Sequence, residues 1–73
     1  MAVLKIAHYT KPVHVKETLQ EMTENIEDTY AKNQLLVPAT VSVKITNFEG
    51  NERNIRCEDM TYLFNINHII SVN

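Results

Sequence analysis

The chain has 73 residues, a formal net charge of -2 and a single cysteine. A chain this short favours one domain, so we expect residues 1–73 to fold as a single α+β unit that buries only about 60% of its unfolded surface. No apolar run approaches the ~20 residues that span a bilayer, and the N-terminal residues lack a signal-peptide pattern. We therefore expect a cytoplasmic protein that makes no membrane contact. The weak negative charge argues against a dedicated nucleic-acid binder.

A first strand and then a helix are predicted in the N-terminal half. Residues 2–9 alternate weakly between apolar and polar, which favours a strand. Pro12 is typical of the first turn of a helix, with Thr10 or Lys11 as the cap. From Val13 to about Lys32 the apolar spacing is helical, which predicts an amphipathic helix. Its apolar stripe is Val15, Leu19, Met22, Ile26 and Tyr30, and its acidic face is Glu17, Glu21, Glu24, Glu27 and Asp28.

A β-hairpin is predicted around Gly50, the only glycine, between residues 41–48 and residues 53–57. A loop with an odd number of residues centred on the glycine sets Val43 opposite Cys57, which keeps apolar side chains on one face. This register buries the thiol of Cys57. We therefore expect it to be an unreactive core group and not a nucleophile.

The last twelve residues, 61–72, form the most regular pattern in the chain. They alternate like a strand with one apolar face, either continuous or bent at residues 65–67. A strand at the end of a sheet is an edge, and unpaired edges recruit another chain, so we expect a homo-oligomer. His68 is interpreted as a core or interface histidine with one nitrogen satisfied by backbone. The predicted oligomer interface consists of Tyr62, Phe64, Ile66, His68 and Ile70.

The order β-α-β-β-β predicts a small two-layer α+β sandwich, in which one amphipathic helix packs on a mostly antiparallel sheet of three or four strands. The sheet face away from the helix would be mildly basic and partly apolar. It is either a solvated surface or a contact surface for a partner. The residues assigned to partner binding on this open face are Lys5, Lys44, Arg56, Leu63 and Ile69.

Groups that could carry catalysis or hold a metal are poorly placed in the sequence. His8 and His14 bracket a turn and could join Glu17 at a metal, but their spacing matches no established ligand pattern. A single glycine cannot form a phosphate-binding loop, and no nucleophile has a base at a defined spacing. We expect no metal, no cofactor and no enzymatic activity.

The end of the chain resembles the closing strands of the bacterial Sm-like RNA chaperones. The residues concerned are Tyr62, two asparagines and the run His68-Ile69-Ile70-Ser71-Val72. In that family a tyrosine, a histidine and small apolar residues help to form a ring and its RNA site. The rest of the chain departs from the family: a strand precedes the helix, and no second glycine follows Gly50 to bend a barrel strand. We therefore assign no RNA-contact residue from this resemblance.

Two functions are consistent with the sequence. The first is a small non-enzymatic protein-interaction or regulatory module, of the inhibitor or accessory type that bacteria and phages encode, acting as a homo-oligomer and on an unidentified protein partner. The alternative is a small nucleic-acid-binding protein that uses Lys5, Lys44 and Arg56 on the open sheet face. That face lacks stacking aromatic residues and the chain lacks net positive charge. The first function is preferred because association stabilises both a small core and a long apolar edge.

Overall fold

The computed structural model describes all 73 residues. It contains five strands, one α-helix and one turn of 3-10 helix. The elements are β1 (Ala2–Ile6), β2 (Val13–Val15), α1 (Leu19–Ala31), β3 (Leu36–Glu49), β4 (Glu52–Asn65), the 3-10 turn (Ile66–His68) and β5 (Ile69–Val72).

The strands form two antiparallel sheets, and the helix packs on both. The first sheet has the order β2-β1-β5, and the second is the β3–β4 hairpin. The predicted α+β class, with one helix on antiparallel strands, is confirmed. The predicted single sheet is instead divided in two, and the element order gains a short strand before the helix.

The helix begins later than the sequence pattern predicted. It starts at Leu19 and not near Pro12, because Val13–Val15 form β2 and pair with β1. The sequence of two valines flanking one histidine is compatible with a strand as well as with a helix. Pairing with the edge of β1 favours the strand. The predicted cap at Thr10 or Lys11 is wrong for the same reason.

Thr18 caps the helix in a capping box with Glu21. The Thr18 hydroxyl accepts the backbone N–H of Glu21 at 3.1 Å, and the Glu21 carboxylate accepts the backbone N–H of Thr18 at 3.1 Å. Two N–H groups that the helix leaves unpaired are satisfied in this way.

The capping box makes a pH-dependent contribution to stability. Hydrogen bonds from the Thr18 backbone and then from its side chain hold the pKa of Glu21 below its ordinary value of 4.5. A carboxyl with a lowered pKa stabilises the fold above its ordinary pKa, and the effect is lost as the pH falls through the lowered value. We expect Thr18→Val to raise the Glu21 pKa part of the way toward 4.5, because it removes the side-chain hydrogen bond and keeps the larger effect of the Thr18 backbone N–H. NMR titration of the Glu21 carboxyl carbon measures this change. The control is Thr23→Val, because the Thr23 hydroxyl donates to Leu19 and not to Glu21.

The buried side of α1 matches only part of the predicted stripe. Met22 is fully buried and Ile26 is half-buried, whereas Leu19 and Tyr30 are exposed. Thr29 takes a buried position, with its hydroxyl donating to the Asn25 carbonyl at 2.8 Å. Two more residues that were predicted to lie in the helix lie outside it: Val15 is in β2, and Glu17 precedes the first helical residue. The helix has neither the length nor the apolar character to cross a membrane.

The hairpin has a two-residue loop, Gly50-Asn51, and pairs without interruption from Glu49↔Glu52 to Leu36↔Asn65. Gly50 has a φ of 60°, which is the backbone required at the first loop position of a type II′ turn. The predicted odd register is therefore wrong.

The correct register sets Lys44 opposite Cys57, and the thiol is exposed. The prediction assumed that one face of this segment is buried, and here none of its residues is fully buried. The predicted core position of Cys57 is wrong.

Eight buried apolar side chains make up the whole core, at the point where the first sheet, the helix and the base of the hairpin meet. The distal part of the hairpin, residues 42–59, lies beyond this core and is called the arm below. Only Val43 and Ile45 of the arm are even half-buried. The molecule measures 50 × 22 × 20 Å, and a 14-residue strand of about 45 Å accounts for its long axis. The core residues are Ala2, Leu4, Ile6, Val15, Met22, Val37, Ala39 and Phe64.

The root of the arm is held by the segment between β2 and α1. The Glu17 carboxylate accepts the Thr40 N–H through both oxygens, at 2.7 and 2.9 Å. The Lys16 N–H donates to the Thr40 carbonyl at 2.8 Å, and the Lys16 ammonium contacts Asp59 at 2.9 Å. The Thr40 contacts occupy the outer edge of β3 where the arm leaves the core, and the Lys16–Asp59 contact reaches β4.

Candidate interaction surface

The two basic residues predicted to share the open face project from opposite faces of the arm. Lys44 pairs with Cys57, and Arg56 pairs with Ile45. Because paired residues share a face and neighbours along a strand alternate, Lys44 and Arg56 are separated by the thickness of the hairpin. The structure does not bring these two charges together on one surface.

The other three residues assigned to partner binding are also apart. Lys5 lies in β1, in the other sheet. Leu63 is exposed on β4 opposite Pro38, and Ile69 is half-buried in β5 against the core. Their proposed role stays a prediction, but they do not form one patch.

The predicted final ribbon is bent, as one of the two alternatives allowed. The 3-10 turn separates β4 from β5, and the Asn65 side chain caps it by accepting the Asn67 N–H at 2.9 Å. Tyr62 and Phe64 therefore lie in the hairpin, while Ile70 lies in the first sheet. Tyr62 and Phe64 line an apolar cleft of about 150 Å³ together with Tyr9, Val13 and Val41.

His68 is exposed at the end of the 3-10 turn and is not set into an apolar strand face. Its ring lies edge-on to that of His8, with 6.1 Å between the ring centroids. His8 has a φ of 71°, in the left-handed region. No group of three or more His, Cys, Asp or Glu side chains is arranged to hold a metal ion, so His8, His14 and Glu17 do not form a site.

The strand edges of the two sheets differ in how well they are protected. In the first sheet β2 has three residues and β5 has four, and Ile70 is a bulged residue because Lys5 pairs with Ser71 and Ile6 with Ile69. Short strands and bulges are devices that protect an edge from further pairing. β3 and β4 each have 14 residues and no bulge, but the outer edge of β3 is occupied at Thr40 by Glu17 and Lys16, so β4 presents the longest uninterrupted free edge of the molecule.

The backbone groups on the free edge of β4 follow from the hairpin register. Glu49 and Glu52 flank a two-residue loop and form a hydrogen-bonded pair, so the even-numbered residues of β4 bond to β3 and the odd-numbered ones point outward. Thr40 is consistent with this alternation, because its N–H and carbonyl leave β3 on the outer side to reach Glu17 and Lys16. No backbone hydrogen bond outside the regular elements involves β4. The outward-pointing residues are Arg53, Ile55, Cys57, Asp59, Thr61 and Leu63.

The two faces of the arm are both mixed in character. One face continues the buried side of the hairpin and carries Val43, Ile45 and an ion pair between Arg56 and Glu58 at 3.1 Å. The opposite face carries apolar side chains in the open, with Phe48 72% and Ile55 54% exposed. Sequence reasoning missed the Arg56–Glu58 pair, although opposite charges two residues apart on a strand share a face and are a readable signal.

Comparison with known proteins gives no family assignment. The chain matches no protein-family model, no curated protein and no solved structure.

Proposed function

We propose that the chain is a small non-enzymatic interaction module of the cytoplasm that works as a homo-oligomer and, in that form, acts on a protein partner. The observation that carries this proposal is the arm: it projects from the core, none of its residues is fully buried, and the β4 edge along it is free.

The arm has a physical need for further packing. An isolated two-stranded hairpin is marginally stable in water, and three or more strands with an apolar face are needed for independent stability. The arm exposes Phe48 and Ile55 and keeps only Val43 and Ile45 half-covered. Edge-to-edge pairing with a second hairpin would bring the arm to four strands, and a second copy is the one chain certain to be present at equal concentration.

The edge of β4 is better suited to association than the edge of β5. The final strand was expected to recruit the second copy, but β5 is short and carries the Ile70 bulge. β4 is long and regular, and it includes Tyr62, which belongs to the predicted interface. The proposal therefore keeps the expected homo-oligomer and moves its contact toward the arm.

Sedimentation velocity at micromolar concentration tests the proposal. We expect more than one protomer for the unaltered chain. Ile70→Lys separates the two edges: if β4 carries the contact, this variant keeps the oligomeric state, because Ile70 is an exposed residue of the other sheet. A monomer at all concentrations would contradict the proposed function, and an oligomer lost with Ile70→Lys while the fold is kept would return the contact to β5.

A further inference from the structure

We infer that two copies pair antiparallel along their β4 edges about a two-fold axis at Cys57, so that the two arms form one four-stranded sheet. This inference rests on the proposed homo-oligomer and names the contact surface and the register within it. A second copy of this chain is the occupant to which it commits.

Symmetry limits the registers that two such edges can adopt. A two-fold axis that relates antiparallel strands side by side runs along the sheet normal, so equivalent faces of the two copies lie on the same side. One residue of β4 must then sit opposite its own copy at the axis. Each choice of this central residue fixes every other pair, and the sum of the two residue numbers in each pair is constant.

Charge selects the centre at Cys57. In that register Arg56 of each copy lies opposite Glu58 of the other, on the same face. A centre at Arg56, Glu58 or Asp59 sets that charged residue opposite its own copy, which is destabilising. The centre at Arg56 also sets Arg53 opposite Asp59, but the Asp59 carboxylate already pairs with Lys16 in its own chain. A centre at Ile55 sets Glu52 opposite Glu58. Further along β4, a centre at Met60 gives no pair of opposite charges, and toward the loop a centre at Asn54 overlaps only the arm tips.

The same register uses the free backbone groups of β4. Cys57 lies opposite its own copy, Ile55 opposite Asp59 and Arg53 opposite Thr61, and all of these residues point outward. Each would donate one N–H and accept at one carbonyl across the axis. The Arg56–Glu58 pairs fall at the positions without backbone hydrogen bonds, where the side chains of opposed residues approach most closely. Backbone hydrogen bonds between the two β4 edges thus stabilise the dimer, and the Arg56–Glu58 pairs favour one register over the others.

A charge exchange between copies tests this register. Arg56→Glu sets glutamates opposite each other in a homodimer, and Glu58→Arg sets arginines opposite each other, so each variant alone should dimerise about tenfold more weakly than the unaltered chain. In an equimolar mixture of the two variants, both cross-axis pairs are again of opposite charge. Because both variants have lost the Arg56–Glu58 pair within the chain, recovery in the mixture reports on the contact between chains alone. Sedimentation velocity of each variant and of the mixture gives the readout.

Oxidative cross-linking locates the axis, since Cys57 is the only cysteine. Opposed hydrogen-bonded residues have Cα atoms about 5.5 Å apart, which a disulfide can bridge. Diamide takes two electrons and two protons from the two thiols, so the disulfide forms and the diamide becomes its hydrazine. We expect rapid cross-linking of the unaltered chain. The control, Cys57→Ser with Ile55→Cys, places the two thiols about 14 Å apart along the strands and should cross-link at least tenfold more slowly.

The outcomes separate the register from the proposed function. Recovery of the dimer in the mixture, with selective cross-linking through Cys57, supports the inference. An oligomer of the unaltered chain without recovery, or with equally fast cross-linking of the control, overturns the register and leaves the homo-oligomer in place. A chain that stays monomeric overturns the proposed function and the register with it.

Discussion

Leu4→Ala is expected to lower the free energy of unfolding by about 2–5 kcal/mol. Leu4 is fully buried in β1, the central strand of the first sheet, where it pairs with Val13 on one side and Val72 on the other. Domains have about 0.05–0.15 kcal/mol of stability per residue, so a chain of this length holds about 4–11 kcal/mol in total. A core of eight side chains has no second cluster to compensate for the cavity. The variant should therefore lose a large fraction of its stability.

Urea unfolding followed by circular dichroism measures this effect. The control is Leu35→Ala, since Leu35 is 59% exposed and precedes β3. Truncation of an exposed side chain away from special contacts usually changes the free energy by no more than about 0.5 kcal/mol. Equal losses for the two variants would mean that the core does not lie where Leu4 is buried.

The sequence predicted the class of the fold because hydrophobic period distinguishes strand from helix over long segments. Met22 and Ile26 follow the helical period and do face the core, and the alternation around Ile45 does mark a strand. The start of the helix was missed, although the run from Thr18 to Glu21 is a readable capping box. The three residues of β2 form a strand because they pair with the edge of β1. A pattern within a short stretch of sequence does not show which strand edge is available for pairing.

The arm could not be predicted from burial. The preferred hairpin register was chosen to put Val43 and Cys57 on one covered face, yet the arm extends past the core and has no fully buried residue. Register then follows from the turn, where Gly50 permits the positive φ of a two-residue loop. A shift of one residue moves every side chain of β4 to the other face, which puts Lys44 and Arg56 on opposite faces. Lys5 and Ile69 are apart from these two residues for a different reason, because both lie in the first sheet.

The bend between β4 and β5 was readable in part. Asn65 and Asn67 were identified as a place where the ribbon could bend, and the Asn65 side chain makes the hydrogen bond that caps the turn. The pairing of β5 with β1 was not readable, because it joins the two ends of the chain and depends on where the intervening elements place them. The bulge at Ile70, which protects the edge of β5, arises from this pairing and could not be predicted without it.

Glu17→Ala is expected to lower the free energy of unfolding by about 1–3 kcal/mol, because it leaves the Thr40 N–H without an acceptor. Both carboxylate oxygens of Glu17 accept this N–H, and the site is partly buried where the arm leaves the core. Glu17→Gln keeps one carbonyl oxygen in the same place and should lose less. Urea unfolding compares the two variants, with Glu27→Ala on the exposed side of the helix as the control.

Amide hydrogen exchange distinguishes a lost anchor from a general loss of stability. With Glu17→Ala, the Thr40 N–H has no acceptor and should exchange faster than the amides of β1, which keep their own partners in the first sheet. With Glu17→Gln, Thr40 should stay close to its original protection. If Thr40 and the β1 amides accelerate together in the alanine variant, the carboxylate stabilises the whole fold and does not act as the local anchor of the arm. If Thr40 keeps its protection, water or another group replaces the carboxylate, and the anchoring role of Glu17 is contradicted.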